Sequence, residues 1–170
     1  MNNSISNSGN PGENYQKELL EILKQLCDRP FTLGLLILKL LLPKDLNLLT
    51  TRLEYSEKGQ YFWLQLHSSF LGEVGICFWP SKQANSLKHD HFNSKAMVLT
   101  LSGEIVQTLY KVSRDKFFIY RQDLAKPMDL LFINGWQIHG IKNVSEAWAF
   151  SLHLYAFRRE QTKLELAAED

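Results

Sequence analysis

HDHFNSKAMVLTLSG, residues 89–103, contains two of the five histidines of the chain. Residues two apart in an extended strand point to the same face, so His89 and His91 can present both imidazoles to one metal ion. A third histidine begins the segment HGIKN at residues 139–143, just after the turn signal Asn134-Gly135. An isolated His-x-His pair often arises by chance, so the meaning of the first segment depends on the rest of the chain.

The chain from about Asn47 onward is predicted to form short β-strands separated by turn signals such as Lys58-Gly59 and Ser102-Gly103. The predicted strands are Leu49–Tyr55, Tyr61–His67, Glu73–Trp79, Met97–Leu101, Glu104–Tyr110, Lys116–Tyr120, Asp129–Asn134, Gly140–Asn143 and Ala149–Phe157. Roughly nine strands in about 110 residues favour a small sandwich or barrel.

The segment from Glu13 to about Leu42 shows a helical pattern instead, with a break at Asp28-Arg29-Pro30 and a second helix predicted over Thr32–Leu42. We expect a disordered tail over residues 1–12, a helical N-terminal extension over residues 13–45, a β-barrel over residues 46–160 and a C-terminal tail over residues 161–170. Such an extension most often covers a barrel, and a pocket lid, a partner-binding helix or a dimer contact are the alternatives.

The composition excludes several classes of function. Of the 170 residues, 19 are Lys or Arg and 18 are Asp or Glu, so a net charge of +1 gives no electrostatic reason to expect nucleic acid as a partner. The apolar run over residues 33–42 is about half the roughly 20 residues that cross a bilayer, and no signal peptide is recognisable. Cys27 and Cys77 have no metal-binding spacing, so we expect reduced thiols and a cytoplasmic protein without membrane contact.

The two histidine segments have the spacing of the cupin motifs. After His91 come four residues, then Ala96, then six residues, then Gly103, where cupins have a glutamate at the position of Ala96. His139 and Asn143 match the second cupin element, His-x-x-x-Asn. The chain therefore resembles the cupins, which implies a mainly β, double-stranded β-helix fold (a jelly-roll barrel) in which both elements converge at the mouth.

Within the cupins, the chain resembles the cysteine dioxygenase family from about Tyr61 to Phe157. The resemblance is most specific at SLHLY, residues 151–155, which matches that family's Ser-x-His-x-Tyr strand. It implies that His89, His91 and His139 bind iron(II), with His139 as third ligand in place of a carboxylate. It also implies that Tyr155, oriented by His153 and Ser151, is a catalytic group close to substrate and O₂. Because position 96 is alanine, we expect no cysteine–tyrosine cross-link.

The resemblance also predicts a substrate pocket, with one departure from the family. Trp79 lies at the spacing of a pocket tryptophan, and Trp136 is a further candidate. The family's carboxylate-binding Tyr-x-Arg segment corresponds to Tyr61-Phe62-Trp63, so an indole replaces the guanidinium. An indole has one N–H and no charge, so it cannot form a bidentate clamp on a carboxylate. The other arginines that could serve are Arg52, Arg114, Arg121 and Arg158.

From this resemblance we expect an iron-dependent oxidoreductase that converts a small thiol and O₂ to a sulfinate, with free cysteine disfavoured by Trp63. A monomer or a homodimer is expected. The alternatives are an iron cupin with other O₂ chemistry (carbon–carbon cleavage, hydroxylation or oxidative rearrangement), a non-catalytic metal-binding cupin, and an enzyme that oxidises an N-terminal cysteine of a protein. Three-histidine sites also accept Zn, Ni or Cu, so the residues leave the metal open.

Overall fold

The structure, a computed structural model, describes residues 17–19, 21–22, 33–42, 53–56, 61–80, 84–92, 94–114 and 116–156. The described elements are one complete helix, a second helical segment at residues 17–19 and 21–22, and nine strands. They are α1 (Leu33–Leu41), β1 (Leu53–Tyr55), β2 (Phe62–Ser69), β3 (Gly72–Trp79), β4 (Ala96–Ser102), β5 (Ile105–Ser113), β6 (Lys116–Ala125), β7 (Leu130–Ile133), β8 (Ile138–Asn143) and β9 (Ala149–Ala156).

The strands form two sheets, both antiparallel. The larger sheet has the order β1-β2-β3-β9-β4-β7, and the smaller has the order β6-β5-β8. Alternate residues of facing strands meet in one interior cluster that draws on both sheets, for example Val98 and Ile133 from the larger and Ile105 and Ile141 from the smaller. This shared core closes the two sheets into a barrel, so the prediction of a mainly β fold is confirmed.

The predicted strands all occur, with differences at their ends. β6 continues to Ala125, five residues beyond the predicted end at Tyr120, because pairing with β5 carries it through a polar stretch that lacks apolar alternation. β8 begins two residues earlier than predicted, at Ile138, so it includes His139. The helix predicted over Thr32–Leu42 is confirmed as α1. Residues 49–52, Phe157 and most of the predicted first helix lie outside the described residues.

The helical segments cover the outer face of the larger sheet. Leu38 and Leu42 of the α1 region and Leu19 of the preceding helical segment are buried in a second apolar cluster with Phe62 and Leu101. This cluster is separate from the one inside the barrel. The described part of the extension is therefore placed as a cover of the sheet, on the face away from the barrel interior. No helix in the described ranges is long and apolar enough to span a bilayer.

Gly34 brings α1 directly onto the sheet, and its replacement by alanine should destabilise the fold. A Cβ at this position would overlap the backbone carbonyl of Leu101 in β4, and a clash with backbone cannot be relieved by rotation of a side chain. Overpacking of this kind lowers the free energy of unfolding by about 1–3 kcal/mol, which outweighs the gain of about 1 kcal/mol from helix propensity. Urea unfolding followed by circular dichroism measures the change. Leu40→Ala, on an exposed position of the same helix, is the control, and an unchanged or more stable Gly34→Ala would contradict the contact.

Candidate metal centre

The backbone brings the two histidine segments together across the mouth of the barrel. His89 pairs with His139 of β8 in an isolated antiparallel bridge, with N–H···O=C distances of 3.0 and 2.9 Å in the two directions. The amide of His91 donates to the carbonyl of Gly135 in the turn before β8, at 2.9 Å. Residues that are 48 positions apart in sequence are thereby fixed next to one another.

The three imidazoles converge on one point. One ring nitrogen from each of His89, His91 and His139 lies within 4.8 Å of the others, and Nε2 of His91 is 2.9 Å from Nε2 of His139. His91 and His139 are each 1% exposed, while His89 is partly exposed. The ring of His89 is held by its Nδ1, which lies 2.6 Å from the carbonyl oxygen of Leu87. With Nδ1 donating to this carbonyl, His89 has Nε2 available as a ligand atom.

The protonation state of His139 also suits a ligand. Its pKa is lowered well below the ordinary value of 6.5, first by burial and then by the nearby His89, His91 and His153. The imidazole is therefore neutral near pH 7, and neutral imidazole is the form that binds metal ions.

The donor set fits a metal ion. Two nitrogens at right angles around an ion, each about 2.0–2.1 Å from it, lie about 3 Å apart, close to the separation of the Nε2 atoms of His91 and His139. Nδ1 of His139 is buried and has no hydrogen-bond partner within the described part of the chain. Ala96 of β4 is buried opposite Tyr155 and offers no ligand atom. The three histidines can thus hold a metal ion without a carboxylate at that position.

A chain of hydrogen bonds runs along β9 beside the histidines. Nε1 of Trp79 donates to Oγ of Ser151 at 2.8 Å, this Oγ lies 2.8 Å from Nε2 of His153, and Nδ1 of His153 lies 3.1 Å from the hydroxyl of Tyr155. An indole can only donate, so the direction that satisfies every group has Ser151 donating to His153 and His153 donating to Tyr155. Tyr155 then keeps its own O–H as a donor, and its ring centroid is 4.9 Å from that of His91.

Trp63 lies on the same interior wall. It is 4% exposed, and its ring centroid is 6.0 Å from that of His153 and 6.1 Å from that of Tyr155. The indole extends over Gly75, where a Cβ would overlap the ring. On the adjacent side, the ring centroids of Tyr61 and Trp79 are 4.8 Å apart. The structure thus brings Tyr61, Trp63 and Trp79 together with the polar chain of β9.

Trp136 differs from the other predicted pocket residues. It is 65% exposed, and its ring lies against Phe92, with centroids 4.4 Å apart. Its role in a pocket stays a prediction.

Of the four arginines considered as substitutes for the clamp, Arg52 and Arg158 lie outside the described residues. Arg114 occupies the exposed turn between β5 and β6, and Nε of Arg121 donates to Oδ1 of Asp123 at 2.8 Å.

Sequence reasoning missed three residues of this interior wall, all on β3. Gly75 pairs with His153 and leaves room for Trp63, while Cys77 and Glu73 pair with Ser151 and Tyr155 respectively. Glu73 is only 7% exposed, and Cys77 is a buried free thiol. The alternation of strand residues could have identified these three positions, because residues 73, 75 and 77 are separated from Trp79 by steps of two and so share its face.

Solved structures share this fold at low sequence identity. A conserved protein from Klebsiella pneumoniae with a double-stranded β-helix domain aligns with a TM-score of 0.51 and 16% identity, over 71% of this chain and 95% of that one. KdgF from Halomonas sp. aligns with a TM-score of 0.52 and 13% identity, over 64% and 87%. The cupin domain of Cnp3 from Schizosaccharomyces pombe gives 0.50 and 13%, over 61% and 65%. No protein-family model and no curated protein matches the chain. These likenesses identify the fold as the cupin double-stranded β-helix.

Proposed function

We propose that this protein is a mononuclear non-heme iron(II) dioxygenase that oxidises the sulfur of a small thiol to a sulfinate. The observation that carries the proposal is the position of Tyr155, hydrogen-bonded to His153 and packed against His91 of the carboxylate-free histidine cluster. A purely structural metal site has no need of a phenol oriented by a buried Ser–His chain. The same three residues form the Ser-x-His-x-Tyr strand through which the sequence resembles cysteine dioxygenases.

The reaction is R–SH + O₂ → R–SO₂⁻ + H⁺. Both oxygen atoms end on sulfur, and the electrons that sulfur loses are those that O₂ gains, so no further reductant is required. Bound to three neutral imidazoles, an iron(II) ion would retain its full charge, favour the thiolate form of the substrate and leave coordination positions for thiolate and O₂.

The protein groups around the cluster have separate tasks in this proposal. Tyr155 donates its O–H toward the reacting sulfur and oxygen atoms, and the hydrogen bonds from Trp79 through Ser151 and His153 fix the direction of that donor. The buried rings of Trp63 and Trp79 exclude water from the same space. A dry, preoriented donor is the arrangement that lowers barriers most effectively where charge develops.

Trp63 favours a thiol that carries no carboxylate near its sulfur. The indole fills the wall beside His153 and Tyr155 and offers no cation to an anion in that position. Burial of an unpaired carboxylate against this ring would cost several kcal/mol, on the order of the penalties seen for unpaired buried charges. An aminothiol or a neutral thiol suits the wall better than free cysteine.

Oxygen uptake by protein loaded with iron(II) under anaerobic conditions tests the proposal. Cysteine, cysteamine, 3-mercaptopropionate and a short peptide with an N-terminal cysteine are the substrates, and mass spectrometry of products made from labelled O₂ counts the oxygen atoms on sulfur. We expect one thiol to drive uptake and to gain both labelled atoms. If iron binds at the histidines and no thiol drives uptake, thiol dioxygenation is excluded and the same scaffold must serve other O₂ chemistry.

Trp63→Arg should shift the preference of the enzyme toward thiols with a carboxylate. A guanidinium at this position restores a bidentate, charge-assisted pair worth about 1.5–3 kcal/mol, so kcat/KM for cysteine should rise by about tenfold to a hundredfold. Cysteamine, which lacks only the carboxylate, is the matched control and should gain nothing. Equal gains with both thiols, or no gain with either in a folded variant, would show that residue 63 does not face the substrate.

A further inference from the structure

A cleft of about 540 Å³ opens where the two sheets meet without pairing, between β6 and β7. β6 is the edge of the smaller sheet, and β7 is the edge of the larger one. None of the histidines of the metal cluster and none of the predicted pocket residues lines this cleft. It is therefore a different place in the molecule from the candidate metal centre.

The floor of the cleft contains a buried side-chain amide with an unsatisfied donor group. Gln107 of β5 is 1% exposed, and its Nε2 has no hydrogen-bond partner in the part of the chain that the structure describes. Folded proteins satisfy nearly all buried amides, because each donor removed from water without a partner destabilises the fold. An acceptor oxygen from a bound molecule would remove this penalty.

Arg121 supplies a cation next to that amide. Arg121 pairs with Leu109 across β5 and β6, and the next inward-facing pair is Asp123 with Gln107. The guanidinium uses Nε to donate to Oδ1 of Asp123, at 2.8 Å. Because this ion pair is made through Nε, the terminal guanidinium nitrogens can still donate hydrogen bonds to a second acceptor.

The remaining walls are apolar, with one further acid. Leu109 and Leu131 are buried at the base, while Leu124, Leu130 and Phe132 around them are 47–70% exposed. Asp129 also lines the cleft, and its Oδ2 accepts a hydrogen bond from the amide of Lys126 at 2.8 Å. Asp123 and Asp129 together outnumber Arg121 in the lining, so a ligand with more than one negative charge would be repelled.

We propose that this cleft binds a small monocarboxylate with an apolar body. Its carboxylate accepts hydrogen bonds from Gln107 Nε2 and from the guanidinium of Arg121, and its apolar part lies against the leucines and Phe132. The site shares Leu109 with the strand pair that carries His139, since Leu109 and His139 are opposite each other in β5 and β8.

Two probes and three variants of the full chain test the site without added metal. N-acetyl-L-leucine has the predicted carboxylate and apolar body, and N-acetyl-L-leucinamide is its uncharged counterpart. Affinities come from titration followed by nuclear magnetic resonance, and the midpoint of thermal unfolding is measured for every variant. We expect the carboxylate to bind at least about tenfold more tightly than the amide, as loss of a charge-assisted pair implies.

The variants separate a binding role of Gln107 from a structural one. Gln107→Met keeps the volume and removes the buried donor, so it should lose at least about tenfold in affinity while its unfolding midpoint stays equal or rises. Arg121→Gln should lose affinity similarly, and Arg114→Gln, on the exposed β5–β6 turn, should not. Equal binding of both probes, absence of binding, or a Gln107→Met variant that unfolds earlier with affinity unchanged would each overturn the proposal.

Discussion

His139→Ala should abolish metal binding and, with it, all thiol-driven oxygen uptake. His139 supplies the ligand from β8, and its Nε2 faces that of His91 at 2.9 Å. Loss of even an outer partner of a metal ligand typically weakens binding by about 10–100-fold, so loss of the ligand itself should weaken it by more than about a hundredfold. Metal content after dialysis and calorimetric titration with iron(II) under anaerobic conditions measure the effect.

His67→Ala is the matched control for this prediction, because His67 is an exposed histidine of β2. A second readout separates a ligand from a structural histidine. Added metal should raise the unfolding temperature of the unmodified protein and leave that of the His139→Ala variant unchanged, because only a protein that holds the ion is stabilised by it. Retention of stoichiometric metal by this variant, or an equal rise of its unfolding temperature on addition of metal, would contradict the assignment.

Tyr155→Phe should reduce kcat by about 10²-fold while leaving metal content unchanged. The substitution keeps the ring against His91 and removes only the hydroxyl to which His153 Nδ1 lies at 3.1 Å. Removal of one oriented donor from a site that excludes water costs about 10²–10³ in kcat in comparable cases. Steady-state kinetics with the best thiol, together with metal analysis of the same preparation, measures both quantities.

Tyr120→Phe provides the comparison, since Tyr120 also has a hydrogen-bonded hydroxyl, 2.6 Å from Nε2 of Gln137, but lies on the exposed face of β6. It should retain the full kcat. If Tyr155→Phe turns over as fast as the unmodified protein, the phenol has no part in the chemistry. The hydrogen-bonded arrangement of Ser151 and His153 would then need another explanation, such as packing of the β9 strand.

The interior wall formed by β9 could be predicted because its pattern is local. Ser151, His153 and Tyr155 alternate with Leu152 and Leu154, and this period places the polar groups inside and the leucines against the outer face. The nine strands followed from the same alternation and from turn residues. The convergence of His139 with His89 and His91 could not be derived that way, because it depends on pairing between distant segments, and resemblance to the cupins supplied it.

Features that depend on the register between distant strands could not be predicted from the sequence. β6 reaches Ala125 because Ile105 pairs with it across the sheet, although residues 121–123 are all polar. The empty space above Gly75 becomes visible only when Trp63 is placed beside it. The burial of Gln107 follows from its position between two sheets, and a glutamine in a sequence gives no sign of that.

The backbone bridge between His89 and His139 also has a mechanical consequence. His91 leads into β4 of the larger sheet and His139 belongs to β8 of the smaller one, so an ion held by both would act as a staple between the sheets. Because the ion binds the folded site and not the separated segments, it would stabilise the closed barrel by about 2.7 kcal/mol at a free concentration of about 100 times its Kd. The metal-loaded barrel should therefore open between the two sheets far more slowly than the metal-free one. Removal of the ion by a chelator should abolish this difference.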